Sequence, residues 1–260
     1  MVWDLTTIDY GERGTVLVVP GTEAMAVAAA QSLISVSETA ATQTRRALVA
    51  LSGGSTPKRM GQLLAEAPYR DRVKWEHLEL FWGDERWVPL DDPESNAGEA
   101  KRGFLDHVPI PPDQVHAWDT TVDPESSAAA YVDTLRSAMQ QNNTGAFDLI
   151  LLGMGDDGHT ASLFPGTAAI HESQRLAVSH EVPKLAAMRL TFAPVLINAA
   201  AKVIFLVGGA GKADMLHTVL DGPIDIDTYP SQVVRPASGD LEWLVDAAAA
   251  ARLERTTNHG

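Results

Sequence analysis

Five short, almost wholly apolar runs alternate with helical patterns, and that alternation most constrains the fold of this chain. The runs are Thr15–Val19, Ala47–Leu51, Leu78–Trp82, Phe147–Leu152 and Val203–Val207. Strands this apolar on both faces belong to a parallel sheet covered by helices, not to a sheet with one face in water. Helices are predicted from about Thr22 to Ala41, Pro57 to Ala65 and Lys212 to Leu220. Another follows Asp123-Pro124, an N-cap with proline at the first helical position, and sets Ala128, Val132, Leu135 and Met139 on one face. Leu241–Val245 reads as a last strand before a C-terminal helix, and the polar tail from Arg252 to Gly260 is expected to fray. The expectation is one α/β domain over residues 1–260, with a mostly parallel central sheet and helices on both faces.

Composition narrows the function classes. The chain has 20 Lys plus Arg against 34 Asp plus Glu, a net charge of −14, which argues against nucleic-acid or anionic-membrane partners. It leaves room for a small anionic substrate held by a few cations in one pocket. No cysteine is present, so disulfides, thiolate-bound metal and a cysteine nucleophile are excluded. No run approaches the roughly 18 apolar residues of a membrane span. The first residues lack the basic-then-apolar order of a signal peptide, and the expected location is cytoplasmic.

Chemistry concentrates where strands end. Gly153-Met154-Gly155-Asp156-Asp157-Gly158-His159 places three glycines, two carboxylates and a histidine directly after an apolar strand. Strand carboxyl ends are where open α/β sheets bind ligands, and a histidine there can take and return a proton near neutral pH. Either Asp156 or Asp157 could orient the imidazole. Although the run matches G-x-G-x-x-G, Pro165 leaves no room for the long helix of a dinucleotide site. Ser52-Gly53-Gly54-Ser55-Thr56-Pro57 joins a strand to a helix, with Thr56 as the expected N-cap. It reads either as an anion site on free amides or as an ordinary tight turn. It lacks the lysine of a triphosphate-binding loop. Asp84-Glu85-Arg86 follows the third strand and could bind a polyol and an oxyanion, or form a surface ion cluster. Arg189 and Lys212, the latter after Gly208-Gly209-Ala210-Gly211, are further candidate anion ligands. The other histidines show no metal-ligand spacing, so no metal site is expected.

Together, the segments Ser52–Pro57, Gly83–Pro89, Ser95-Asn96, Gly153–Gly166, Arg189–Phe192 and Gly208–Lys212 resemble 6-phosphogluconolactonases, sugar-lactone hydrolases related to glucosamine-6-phosphate deaminase. The resemblance spans roughly Val16 to Val234. It implies a Rossmann-like fold, no metal or cofactor, and hydrolysis of a phosphorylated sugar lactone in the oxidative pentose phosphate pathway. It further implies a catalytic set of His159, Asp157 and Arg86, with backbone amides of the glycine turn as the alternative oxyanion donor. Substrate and phosphate would contact Gly53, Gly54, Ser55, Thr56, Asp84, Gly155, Arg189 and Lys212. The deaminase is the nearest alternative. It typically carries Asn-Glu-Pro after the histidine, where this chain has Leu163-Phe164-Pro165, and a phenylalanine cannot shuttle protons. A non-catalytic sugar-phosphate sensor is a further alternative. Such sensors normally carry a basic helix-turn-helix segment, and the acidic N-terminal portion offers none.

Overall fold

In the computed structural model, which describes residues 6–254, the most apolar runs form the centre of the sheet. The chain begins with β1 (Thr6–Asp9), β2 (Thr15–Val19), α1 (Thr22–Thr42), β3 (Ala47–Leu51), α2 (Ser55–Leu64), α3 (Tyr69–Arg72), β4 (Leu78–Trp82) and β5 (Asp84–Arg86). It continues through α4 (Asn96–Gly103), α5 (Pro124–Gln141), β6 (Leu149–Gly153), β7 (Ala177–Val182), β8 (Ala187–Phe192) and α6 (Pro194–Ile197). Last come β9 (Lys202–Val207), α7 (Ala213–Asp221) and β10 (Asp240–Asp246). All five residues of β3 and of β4 are buried, as expected for strands covered on both faces.

The central sheet has seven strands in the order β1-β2-β10-β9-β6-β3-β4. Every pairing is parallel except that of β1 with β2 at the edge. From β3 the chain crosses to β4 on one side and later returns to β6 on the other. The crevice above β3 and β6 is therefore the topological switch point, where such sheets bind ligands. Among the described residues no helix is long and apolar enough to cross a membrane.

A second, antiparallel sheet of three strands, β5-β8-β7, was not foreseen. Aromatic packing fixes it to the first. Phe192 of β8 lies 5.3 Å from Phe147 and 6.3 Å from Tyr131 of α5, ring centre to ring centre, and Tyr131 stacks on Trp118 at 3.7 Å. The Tyr131 hydroxyl accepts from the Trp82 amide at 3.0 Å and donates to the His116 carbonyl at 2.8 Å, so the buried phenol has both partners.

Several boundaries differ from expectation for identifiable reasons. β6 starts at Leu149, not Phe147: the Asp148 amide still donates to the Leu48 carbonyl at 3.0 Å, but the Leu48 amide goes to the Asp148 carboxylate at 2.9 Å instead of to a strand carbonyl, and that carboxylate pairs with Arg45. α2 starts at Ser55, so Thr56 is not its cap. Gly54, at φ +114°, turns the chain two residues earlier, and Pro57 falls within the first turn, where no amide is needed. A 3-10 turn at Ala210–Lys212 delays α7 to Ala213. After β10 there is a 3-10 turn at Ala249–Arg252 in place of the expected helix, and the tail beyond residue 254 lies outside the described residues. Asp123 does cap α5, accepting from the Ser126 amide at 3.0 Å, with Pro124 at the first position.

Candidate active site

A cleft of about 370 Å³ opens over the switch point, within the range of small-molecule sites. One wall is the turn after β3. The first α-helical bond of α2 runs from the Lys58 amide to the Gly54 carbonyl at 3.0 Å, so the Ser55 and Thr56 amides precede it and have no acceptor in the helix. Gly53, Gly54, Ser55 and Thr56 all line the cleft. Free amides at the positive end of a helix favour an anion. On the facing side is Lys212, whose turn is anchored by the buried Asp246 carboxylate accepting the Gly209 amide at 2.9 Å. Lys212 pairs with Asp156, whose side chain is 88% exposed, so an incoming phosphate would displace a weak, solvated partner.

The turn after β6 holds the histidine. The Gly155 amide donates to the His159 carbonyl at 2.8 Å, Thr160 Oγ1 to the Gly153 carbonyl at 2.9 Å, and Ser231 Oγ to the Gly158 carbonyl at 2.7 Å. A side chain on Gly155 would collide with the imidazole, which is why glycine stands there. His159 Nδ1 lies 2.6 Å from Asp157 Oδ1, and its ring stacks on Phe164 with centres 4.1 Å apart. The geometry thus chooses Asp157 over Asp156 as the imidazole's partner. Burial would raise the Asp157 carboxyl, but hydrogen bonds from Lys184 and His159 outweigh it and hold it at about 2. An ionised carboxylate accepts a hydrogen bond from Nδ1–H and leaves Nε2 as the ring's acceptor.

β5 supplies a third wall. Asp84 Oδ2 accepts from Ser162 Oγ at 2.8 Å, and the Asn96 amide group donates to the Asp84 carbonyl at 3.0 Å. Glu85 is buried beneath them and accepts the Asn96 and Ala97 amides at the start of α4, at 2.8 and 2.9 Å. Burial pushes its carboxyl up despite these bonds. Glu85 therefore braces the wall, while its neighbours Asp84 and Arg86 face the cleft. Arg86 donates to the Glu94 carbonyl at 2.6 Å. Directly opposite it in the β5–β8 pairing stands Arg189. Burial, and then the neighbouring Arg86 charge, lower the Arg189 pKa.

Of the residues singled out in the sequence, Gly53, Gly54, Ser55, Thr56, Asp84, Arg86, Gly155, His159 and Lys212 line the one cleft. Asp157 and Arg189 line an adjoining cavity, which shares Asp84, Arg86 and His159 with it. Arg189 is not part of the glycine-loop cleft. Three contributors were missed. Asn96, from the Ser95-Asn96 pair, lines the cleft, and Ser95 caps α4. Lys184 reaches Asp157 Oδ2 at 2.9 Å from a turn with no sequence motif to mark it. Phe164 carried a signal, its place after the histidine, but its stacking did not follow from that. Among the described residues no group of three or more His, Cys, Asp or Glu side chains is arranged to hold a metal ion.

Known proteins resemble this chain over most of its length. A family model for glucosamine-6-phosphate isomerases/6-phosphogluconolactonase matches residues 20–243. A 6-phosphogluconolactonase of Synechocystis is 43% identical over 79% of this chain and 84% of its own length. One from Nostoc is 40% identical over 93% of this chain and 99% of its own. The crystal structure of a devB protein superposes with a TM-score of 0.84 at 34% identity, covering 91% of this chain and 98% of that one.

Proposed function

The chain belongs to the family of glucosamine-6-phosphate isomerases and 6-phosphogluconolactonases, and from that premise we propose that it hydrolyses 6-phospho-D-glucono-1,5-lactone to 6-phospho-D-gluconate, a step of the oxidative pentose phosphate pathway. The observation that carries the mechanism is that His159 lines the cleft with the glycine loop and Lys212 while Asp157, in the adjoining cavity, holds it at 2.6 Å.

Asp157 holds the Nδ1 proton, and Nε2 of His159 takes a proton from water as the water oxygen bonds to the lactone carbonyl carbon. The resulting alkoxide is stabilised by Arg86. Collapse of the tetrahedral intermediate breaks the bond to the ring oxygen, which receives the proton back from the imidazolium. The free acid then ionises. The Gly53–Thr56 amides and Lys212 bind the 6-phosphate, and Asp84 accepts substrate hydroxyls. Arg189 adds positive potential beside Arg86 from the adjoining cavity. The lactone is an activated ester, so no covalent nucleophile is needed. Deaminase chemistry calls for a proton-shuttling glutamate at the position after the histidine that Phe164 fills here, and the Phe164 ring stacked on His159 cannot carry a proton.

The test follows decay of freshly made lactone above its spontaneous rate. Wild type should show rapid decay. His159→Ala should lose about 10²–10⁴ in kcat with KM nearly unchanged, because the base acts mainly in the transition state. A variant retaining near-normal kcat removes His159 from the mechanism, and no decay with wild type removes the lactonase reading.

A further inference from the structure

The hydrogen bonds of Asp157 leave one contact unexplained by the reaction as written. Its inner oxygen serves His159, whereas its outer oxygen is taken by Lys184 at 2.9 Å. Lys184 comes from the turn between β7 and β8, where Pro183–Leu185 form a 3-10 turn and Ala186 adopts a left-handed φ of +46°. That hairpin also carries Arg189. We propose that Lys184 is a positioning residue of the hydrolytic site, holding the outer oxygen of Asp157 from the β7–β8 turn and so setting the pH range over which His159 acts as a base. The role presupposes the lactonase reading, since it acts through the same imidazole.

Two physical effects follow from the contact. A carboxylate held at both oxygens cannot rotate away from the imidazole, so the Nδ1 proton and the aim of Nε2 stay fixed. The ammonium also offsets the carboxylate's charge. An uncompensated carboxylate beside an imidazole favours imidazolium, and a cation on that carboxylate weakens the preference. The other charges near His159 are Asp156 on its own loop, Asp84 and Arg86 on β5, Arg189 on β8 and Lys212 before α7. Lys184 alone among these cations hydrogen-bonds the imidazole's partner, whereas Lys212 is engaged by Asp156 and Arg86 by the Glu94 carbonyl. The Lys184 side chain is 69% exposed, so its effect is modest and screened by salt.

The experiment measures kcat/KM against pH for wild type, Lys184→Met and Lys184→Arg, at low and high ionic strength. Lys184→Met should move the acid limb upward by about half a pH unit, the size expected of a partly solvated charge. Lys184→Arg should restore it, and high salt should narrow the gap. An acid limb that stays in place in Lys184→Met, whether or not the rate falls throughout, overturns the proposal. The imidazole titration of His159, followed by NMR in wild type and Lys184→Met, gives a second reading without turnover. An upward shift there supports the role, and an unmoved titration overturns it. Absence of lactone decay in wild type would instead strike the proposed activity while leaving the NMR comparison legible.

Discussion

In the seven-stranded sheet, the strands under the cleft are parallel and almost wholly buried, whereas β5, β8 and β7 are antiparallel and only about half of their residues are buried. The two sheets also contribute differently to the site. From the parallel sheet come mainly backbone features, the glycine turn at the start of α2 and a histidine loop stitched by main-chain bonds, with Lys212 after β9 as an added cation. From the small sheet and its turn come long cationic side chains, Arg86, Arg189 and Lys184. Backbone geometry anchored in a buried sheet is fixed by packing, while long charged side chains act through a field that water and salt attenuate. Substitutions on the first set should therefore be severe and insensitive to salt, and those on the second graded and salt-dependent.

Gly155→Ala tests the first half most sharply. The added methyl meets the imidazole of His159, so the ring must leave its place beside Asp157. With no charge altered, kcat should still fall by about 10² or more, the scale of losing a positioned base, at every ionic strength. Activity near wild type would show that the loop yields, and the backbone half of the comparison would fail.

Phe192→Ala probes the joint between the sheets. Phe192 is fully buried among Phe147, Tyr131 and Trp118. Its removal should cost about 3–5 kcal/mol of folding stability, including the cavity left behind, read as a lowered midpoint in denaturant. A cost below about 1 kcal/mol, the scale of an ordinary surface change, would mean that the small sheet is not held by this cluster.

These two residues also show what the sequence revealed and what it hid. β2, β3 and β4 have the predicted bounds because their apolar runs match parallel strands, β3 and β4 buried on both faces and β2 partly so. Gly155 was legible because a glycine two residues after such a strand carries its own physical meaning. The small sheet was not legible. β5 is Asp-Glu-Arg, and its central glutamate is buried on amides of α4 instead of on apolar neighbours. β7 reads Ala-Val-Ser-His-Glu-Val, and its strand character depends on pairing with β8, a tertiary fact. Arg189 was found as a cation, but not its position opposite Arg86. Phe164 was identified as a replacement for a carboxylate, and only the structure places its ring against His159.

The Arg86–Arg189 pair yields the smallest expected effect and the most discriminating one. Like charges directly opposite on an antiparallel pair are destabilising, and here the half-buried Arg189 guanidinium also loses hydration. The carboxylates of Asp84, Glu94 and Glu85 offset part of that cost, and an anion seated over both groups would offset more. Arg189→Gln should accordingly raise KM for the lactone about three- to fivefold, the scale of a partly solvated charge acting through its field. It should do so without lowering the melting temperature of the unliganded protein, because the repulsion is relieved. Added salt should shrink the KM difference by screening the wild-type field. A destabilised protein with unchanged KM would invert the assignment: the arginine would then brace the small sheet, and Arg86 alone would carry the field at that end of the cleft.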